Sequence, residues 1–422
     1  MDRGYQHNHY VPEWYQKRFL ADGQSQYYYL DLRPDTITKN GHSYSRNELM
    51  RWGPKKCFAR DDLYTTSWGG LENRDIEKFF FGSIDTNGKK AIVHFSNFAL
   101  TGETDGAWNA LVPYMSIQKL RTPKGLAWLR KLIRSRSKND TLIELQNLRN
   151  IFCNIWSESV WQIADATGLP TKLIVSDHPV VAYNRECFPA SKWCVGVNDP
   201  DVRFAATHTY FPLSSEKILI LTNLSWVRDP FQKPLKLRPN PEYFRSGAVF
   251  SFLDIQHERK LSEEEVLEIN YITKKRAYRY IAAAKEEWLY PERHLRSTNW
   301  RKLGNGYLLM PDPRHIYGGG TTVVGFEGGG AAGWSEYGHR PWERGCEDKS
   351  REDREWAAML KFKAEWAATY GPEFRGVVWG VGSPEEGIRR SMGDEWHSQE
   401  CARDREYLRQ AGERGRRRQL KR

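Results

Sequence analysis

The residue pattern predicts an α+β fold, mainly helical in its first half, with a small β-sheet and a glycine-rich, partly helical C-terminal extension. Three observations carry this. Apolar residues recur at helical spacing from about residue 71 to residue 166. The pattern then switches to short apolar runs, 172–177, 209–213 and 217–221, which suit strands. Beyond residue 295 the glycine triplets 318–320 and 328–330 interrupt any period. With 422 residues the chain exceeds one ordinary core, so division is expected: an α+β domain over 1–295, a glycine-rich linker or weak hairpin over 296–350, and a helical, basic extension over 351–422.

The elements follow in chain order. Residues 7–19 hold two histidines, a proline, a basic pair and aromatics, so this end is expected to dock against the body of the protein. Residues 24–32 are rich in tyrosine and read as a strand, and 60–66 as an extended or turn segment. Ile76, Phe79, Phe80 and Ile84 start an apolar helical stripe within 71–98, broken near Gly88. Residues 108–137 read as helix interrupted at Pro123-Lys124-Gly125, and 141–166 as a further helix. The strands near 25–31, 172–177, 208–213 and 217–222 are expected to form one small sheet. Ser262 and Glu265 form a capping box that opens a helix running on towards Ala284. Two more helices are expected over 351–370 and 393–410.

Composition narrows the function. Aromatic residues make up 13% of the chain, enough for a large core. No run of about 18 apolar residues occurs, so no membrane partner is expected. An apolar signal-peptide core is also missing, which points to a cytoplasmic protein with reduced, mostly buried cysteines. Net charge is +11, of which the six basic residues and one acid in 413–422 contribute +5. Phosphate-binding P-loop, nucleophile-elbow, zinc-helix and dinucleotide-binding signatures are all absent.

The strongest electrostatic signal lies between 118 and 138. Lys119, Arg121, Lys124, Arg130, Lys131, Arg134, Arg136 and Lys138 are eight basic residues with no acid among them. Trp128 is interleaved and could stack on a base. Lys124, Trp128, Arg130, Lys131, Arg134 and Arg136 are therefore the candidate nucleic-acid or polyanion contacts. The alternative is a solvated helix face neutralised by acids elsewhere.

Several blocks in order resemble the domain of unknown function 4238 family. They are His9-Tyr10-Val11-Pro12 with Tyr15, Arg18 and Phe19; Ile76-Glu77; the helix end from Ser116 through Gln118 and Arg121 to Thr122; Ser176-Asp177-His178-Pro179; Pro212-Leu213-Ser214; and Asn270 followed by Ala277. The resemblance covers about residues 7–285. Glu13-Trp14 departs from it, standing where the family commonly shows Gln-Phe. It implies no settled activity, so chemistry must come from the side chains.

On those side chains the expectation is a metal-dependent nuclease or phosphodiesterase acting on nucleic acid. Glu77 and Asp177 would hold Mg²⁺, which takes oxygen ligands. His9 would act as base, and Gln118 and Arg121, three apart on one helical face, would orient a phosphate. Each residue has a plainer alternative. His9 can equally cap a backbone carbonyl, Asp177 can close a turn on backbone amides just ahead of it, and Glu77 can form an ion pair with Arg121 or His9. The rival function is a non-catalytic nucleic-acid-binding or protein-interaction module whose polar residues fix the fold.

Overall fold

The computed structural model describes residues 7–306 except 40–41, 69–70, 74, 158, 195–196, 224–225, 227–232 and 238–254, together with residue 350 and the short strands 321–326, 330–335, 378–379 and 389–390. The strands that matter here are β1 (His7–His9), β2 (Tyr27–Asp31), β3 (Leu49–Trp52), β4 (Ala59–Asp61), β5 (Ser159–Asp165), β6 (Val175–Ser176), β7 (Val181–Tyr183), β8 (His208–Pro212), β9 (Lys217–Asn223), β10 (Gln256–Lys260) and β11 (Tyr280–Ala283). The main helices are α1 (Gly82–Ser96), α2 (Thr104–Leu120), α3 (Pro123–Leu132), α4 (Lys138–Asn147) and α5 (Glu263–Arg276). The fold is mixed α+β, as expected.

Two sheets, not one, organise these strands. A five-stranded sheet has the order β7-β8-β9-β5-β10, antiparallel except for the parallel β10–β5 edge. A four-stranded antiparallel sheet has the order β6-β11-β2-β3. The expected strands near 25–31 and 172–177 therefore belong to one sheet, and those near 208–213 and 217–222 to the other.

The five-stranded sheet is covered on both faces. Trp161, Ile163, Phe211, Leu219 and Leu221 point into the larger core with the residues of α1–α3. Ala164, Tyr210, Ile218 and Ile220 point the other way, onto Val266, Ile269 and Ile272 of α5. This corrects the helix expected over 141–166: α4 ends at Asn147, a short helix spans Cys153–Ser157, and 159–165 is the strand β5. Every residue of this strand is buried, and Val160, Trp161, Ile163 and Ala164 put apolar groups on both faces, so the alternation that marks a half-exposed strand is lost. Two further expectations change. Helix α1 runs through Gly88, where a Cβ would stand 2.3 Å from the Tyr114 ring, so the glycine lets two helices approach. Helix α5 ends at Arg276 and does not reach Ala284, because Ala277 turns extended (ψ 147°) and 280–283 become β11.

Other local signals hold. Pro123 opens α3 with Thr122 as N-cap, and Ser262 with Glu265 closes the capping box of α5. The N-terminal block is docked as expected: β1 pairs with β4, Tyr15 stacks on Phe211 with ring centroids 5.6 Å apart, and Arg18 donates to Leu213 O at 2.6 Å. Strands Thr321–Phe326 and Gly330–Ser335 pair antiparallel. The helices expected over 351–370 and 393–410 lie outside the described residues. Among the described residues no helix is long and apolar enough to cross a membrane, and Cys57, Cys153, Cys187 and Cys194 are unbonded thiols.

Candidate functional site

The polar residues of the N-terminal block and of the α2 end tie distant segments together. Gln118 donates to Tyr10 O at 2.8 Å, joining the end of α2 to the N-terminal block. Its oxygen accepts from Arg121 Nε at 2.8 Å and also from Nη2. Arg121 is buried and pairs with Asp85 of α1 at 2.8 Å, and Phe81 and Tyr114 flank its guanidinium. Among the described residues the acid facing Arg121 is thus Asp85. Glu77 falls in the helical turn Ile76–Phe81, and its side chain lies outside the described residues.

His9 meets Lys55 O at 3.2 Å and lies 3.7 Å from the Glu13 carboxylate. Burial lowers its pKa against the pull of Glu13. This is the carbonyl-capping arrangement. Asp177 sits just beyond β6, fully buried, and accepts three backbone amides: Tyr278 at 2.8 Å, Arg279 at 2.6 Å and Tyr280 at 2.9 Å. Burial pushes its pKa up to about 6 against those three amides. The amides belong to the segment entering β11, not to a turn just ahead of Asp177.

Mg²⁺ would need several free oxygens converging on one point. Asp177 already directs both of its oxygens at amides, and His9 faces a different set of groups. Among the described residues no cluster of three or more His, Cys, Asp or Glu side chains could hold a metal ion. Asp177 as it stands offers no free oxygen to a cation.

The basic run divides between interior and surface. Lys119, Arg121 and Lys124 are buried, whereas Arg130, Lys131, Arg134, Arg136 and Lys138 are exposed. Lys138 donates to Asp62 O. Arg130, Lys131, Arg134 and Arg136 have no ion-pair partner among the described residues.

The buried lysines lie at the floor of a cavity of about 570 Å³ between the α2–α3 corner, residues 151–155, and residues 193, 197 and 199–203. That volume suits a small ligand. Trp128, Phe152, Ile155 and Val202 wall it, and Leu132, Ile151 and Trp193, 50%, 42% and 41% exposed, form an apolar rim. Asp199 receives Lys119 at 2.9 Å and Lys124 at 2.7 Å. Lys119 also donates to Val180 O at 3.2 Å, and Lys124 to Arg276 O at 2.6 Å.

His178 completes the floor. Its Nε2 lies 3.2 Å from Asp199 and 3.3 Å from Lys119, and its Nδ1 lies 2.8 Å from the Thr122 hydroxyl. With Nε2 protonated, it donates to Asp199 while Nδ1 accepts from Thr122; the other tautomer would set two acceptors against each other. Burial, reinforced by Lys119, pushes the His178 pKa down to about 3. Burial likewise lowers Lys124 to about 8 against the attraction of Asp199. Burial alone would raise the Asp199 carboxyl, but Lys119 and Lys124 hold it well below the usual range. The Thr122 hydroxyl is fully buried, and its oxygen also accepts Gly125 N at 3.1 Å as the cap of α3.

Asp199 and His178 escaped the sequence reading as site residues. His178 looked only like the end of a strand, and Asp199 stands in a loop with no period to link it to α2. Lys119 and Lys124 were visible as charges, but nothing local distinguished buried from exposed members of the run.

No curated protein and no solved structure matches the chain. Residues 7–287 match the family described as protein of unknown function (DUF4238), a span that takes in the N-terminal block, both sheets, the polar staples and the cavity, and the chain belongs to that family.

Proposed function

We propose that this protein is a non-catalytic module that binds nucleic acid through the basic surface at the end of α3, with the polar residues of its family-like blocks serving to fix the fold. One observation carries the reading: Arg130, Lys131, Arg134 and Arg136 stand exposed without an ion-pair partner among the described residues, on and just beyond the helix that carries Trp128. Cations free to exchange counterions for phosphates give sequence-independent, salt-sensitive binding. Trp128, on the same helix, offers a ring that would stack on an unpaired base.

Cleavage by a metal-dependent nuclease draws less support. It needs Asp177 as a ligand, and that carboxylate is occupied by three amides. Gln118 and Arg121 would have to leave Tyr10 and Asp85 to reach a phosphate.

The test is fluorescence anisotropy with a labelled single-stranded oligonucleotide over a series of salt concentrations. Replacing Arg130, Lys131, Arg134 and Arg136 together by serine should weaken binding at low salt. It should also flatten the log–log salt slope by about 0.7 for each phosphate no longer neutralised. Equal affinity and an equal slope in the variant would refute the proposed surface. Salt-dependent cleavage of the probe that needs Mg²⁺ and vanishes in Asp177→Asn would restore the nuclease reading.

A further inference from the structure

We infer that the cavity beside α3 is a binding site for a nucleoside monophosphate group, with the base against Trp128 and Trp193 and the phosphate over Lys119 and Lys124. The choice of a nucleotide over another aromatic anion rests on the nucleic-acid reading above. The site itself rests on the cavity.

The floor argues for an anion. Two ammonium groups share one carboxylate, Asp199, and His178 beside them is neutral. A third cation, Arg276, lies close by and turns its guanidinium to Asn198 O at 2.8 Å, to Cys187 O and to the Cys194 sulfur at 3.2 Å. The other buried carboxylate of this region, Asp177, is directed at the amides of 278–280. At the rim Arg203 and Asp201 cancel each other at 2.7 Å. The groups in direct contact at the floor therefore carry one positive charge in excess, in a place where an unmatched charge is costly.

Donor counting leads the same way. An ammonium group has three N–H donors. Lys119 uses one on Asp199 and one on Val180 O; Nε2 of His178, being protonated, cannot accept the third. Lys124 uses one on Asp199 and one on Arg276 O. With His178 in that tautomer, one donor on each lysine lacks a protein acceptor, and both lysines line the cavity.

The walls argue for a flat, largely apolar body. Trp128 and Phe152, with ring centroids 5.6 Å apart, form an aromatic corner, and Trp193, in the short helical turn Lys192–Cys194, lines the mouth. Asn154 also faces the cavity with a carboxamide able to pair with a base edge. A monophosphate and its base would occupy the polar floor and the aromatic walls together.

A monophosphate can arrive as a free nucleotide or as the 5′-phosphorylated end of a strand, and the experiment separates the two. The full chain is titrated by calorimetry, with tryptophan fluorescence in parallel, against the four ribonucleoside 5′-monophosphates, the matching nucleosides and inorganic phosphate. Two oligonucleotides identical except for a 5′-phosphate or 5′-hydroxyl complete the set. A monophosphate should bind saturably, about tenfold or more tighter than its nucleoside. Lys119→Gln and, independently, Trp193→Ala should each weaken it by about tenfold. Trp193→Ala lies at the exposed rim and keeps the test open should Lys119→Gln fail to fold. Preference for the 5′-phosphorylated strand without free-nucleotide binding assigns the strand end as the source. Nucleosides binding as well as monophosphates, or both variants retaining full affinity, would overturn the inference. So would strands bound equally with and without the phosphate while mononucleotides fail to bind, a result that leaves the basic-surface reading intact. Mononucleotide binding without any strand binding would reverse that outcome.

Discussion

Gly125 has no room for a side chain. A Cβ there would stand 2.1 Å from Lys119 O and 2.4 Å from Leu120 O, both backbone atoms in the last turn of α2. Neither can move without shifting the corner that carries Lys119 and Lys124 to the cavity floor. Gly125→Ala should therefore destabilise the protein by about 1–3 kcal/mol, the usual cost of overpacking. Gly106, within α2, is the control: it is exposed, and a Cβ there meets nothing within 4 Å. Gly106→Ala should stabilise by about 0.4–1 kcal/mol through the unfolded chain. Urea midpoints of the two variants check both signs. A Gly125→Ala protein as stable as the parent would mean that the α2–α3 packing is looser than the backbone geometry requires.

At the scale of elements, the junction of β6 and β11 depends on a single carboxylate. Asp177 gathers the amides of Tyr278, Arg279 and Tyr280 as the chain leaves α5, and Asp177 N donates to Tyr280 O at 3.0 Å. Asp177→Ala takes the acceptor from three backbone amides at once and should cost about 3 kcal/mol. Hydrogen exchange should then quicken at 278–280 ahead of the rest of β11. Unchanged protection there would show that Asp177 is not what holds the junction. The same junction explains why the sequence misreads this stretch. The helical period continues past Arg276, but the fate of 277–283 is decided by a residue far earlier in the chain. Strand β5 is hidden for a different reason, burial on both faces. Signals that are local were legible: the Thr122–Pro123 start of α3, the Ser262–Glu265 box, and the apolar runs of β8 and β9. Gln118 and Arg121 could be placed on one helical face, yet their partners, Tyr10 and Asp85, follow only from packing.

For the molecule as a whole, the buried titratable groups pull stability in opposite directions as pH falls. Burial lowers His178 from 6.5 to about 3 and His208 from 6.5 to about 4. Each contributes stability that is complete above 6.5 and is lost as pH drops towards its folded value. Burial raises Glu268 from 4.5 to about 7 and Asp177 from 3.8 to about 6. Their stabilisation is complete below the unfolded value and is lost as pH rises through the folded one, so acidification restores it. Between pH 6 and 4.5 these two histidines lose while these two acids gain, and the four contributions offset. Below 3.8 the gains are spent, and Asp199, held well below its ordinary value by Lys119 and Lys124 against burial, begins to lose as well. Stability should therefore be nearly flat from pH 6 to 4.5 and fall steeply under pH 4. Glu268→Gln keeps an oxygen for Gly304 N, which Glu268 accepts at 2.6 Å, but removes one of the two gains. Its plateau should become a slope of about 1.4 kcal/mol per pH unit, the linkage of one uncompensated proton. Urea unfolding at constant salt across this range measures both curves. If the parent protein already declines steadily from pH 6 and Glu268→Gln runs parallel to it, the buried acid carries no such compensation, and acid stability is set by surface charge instead.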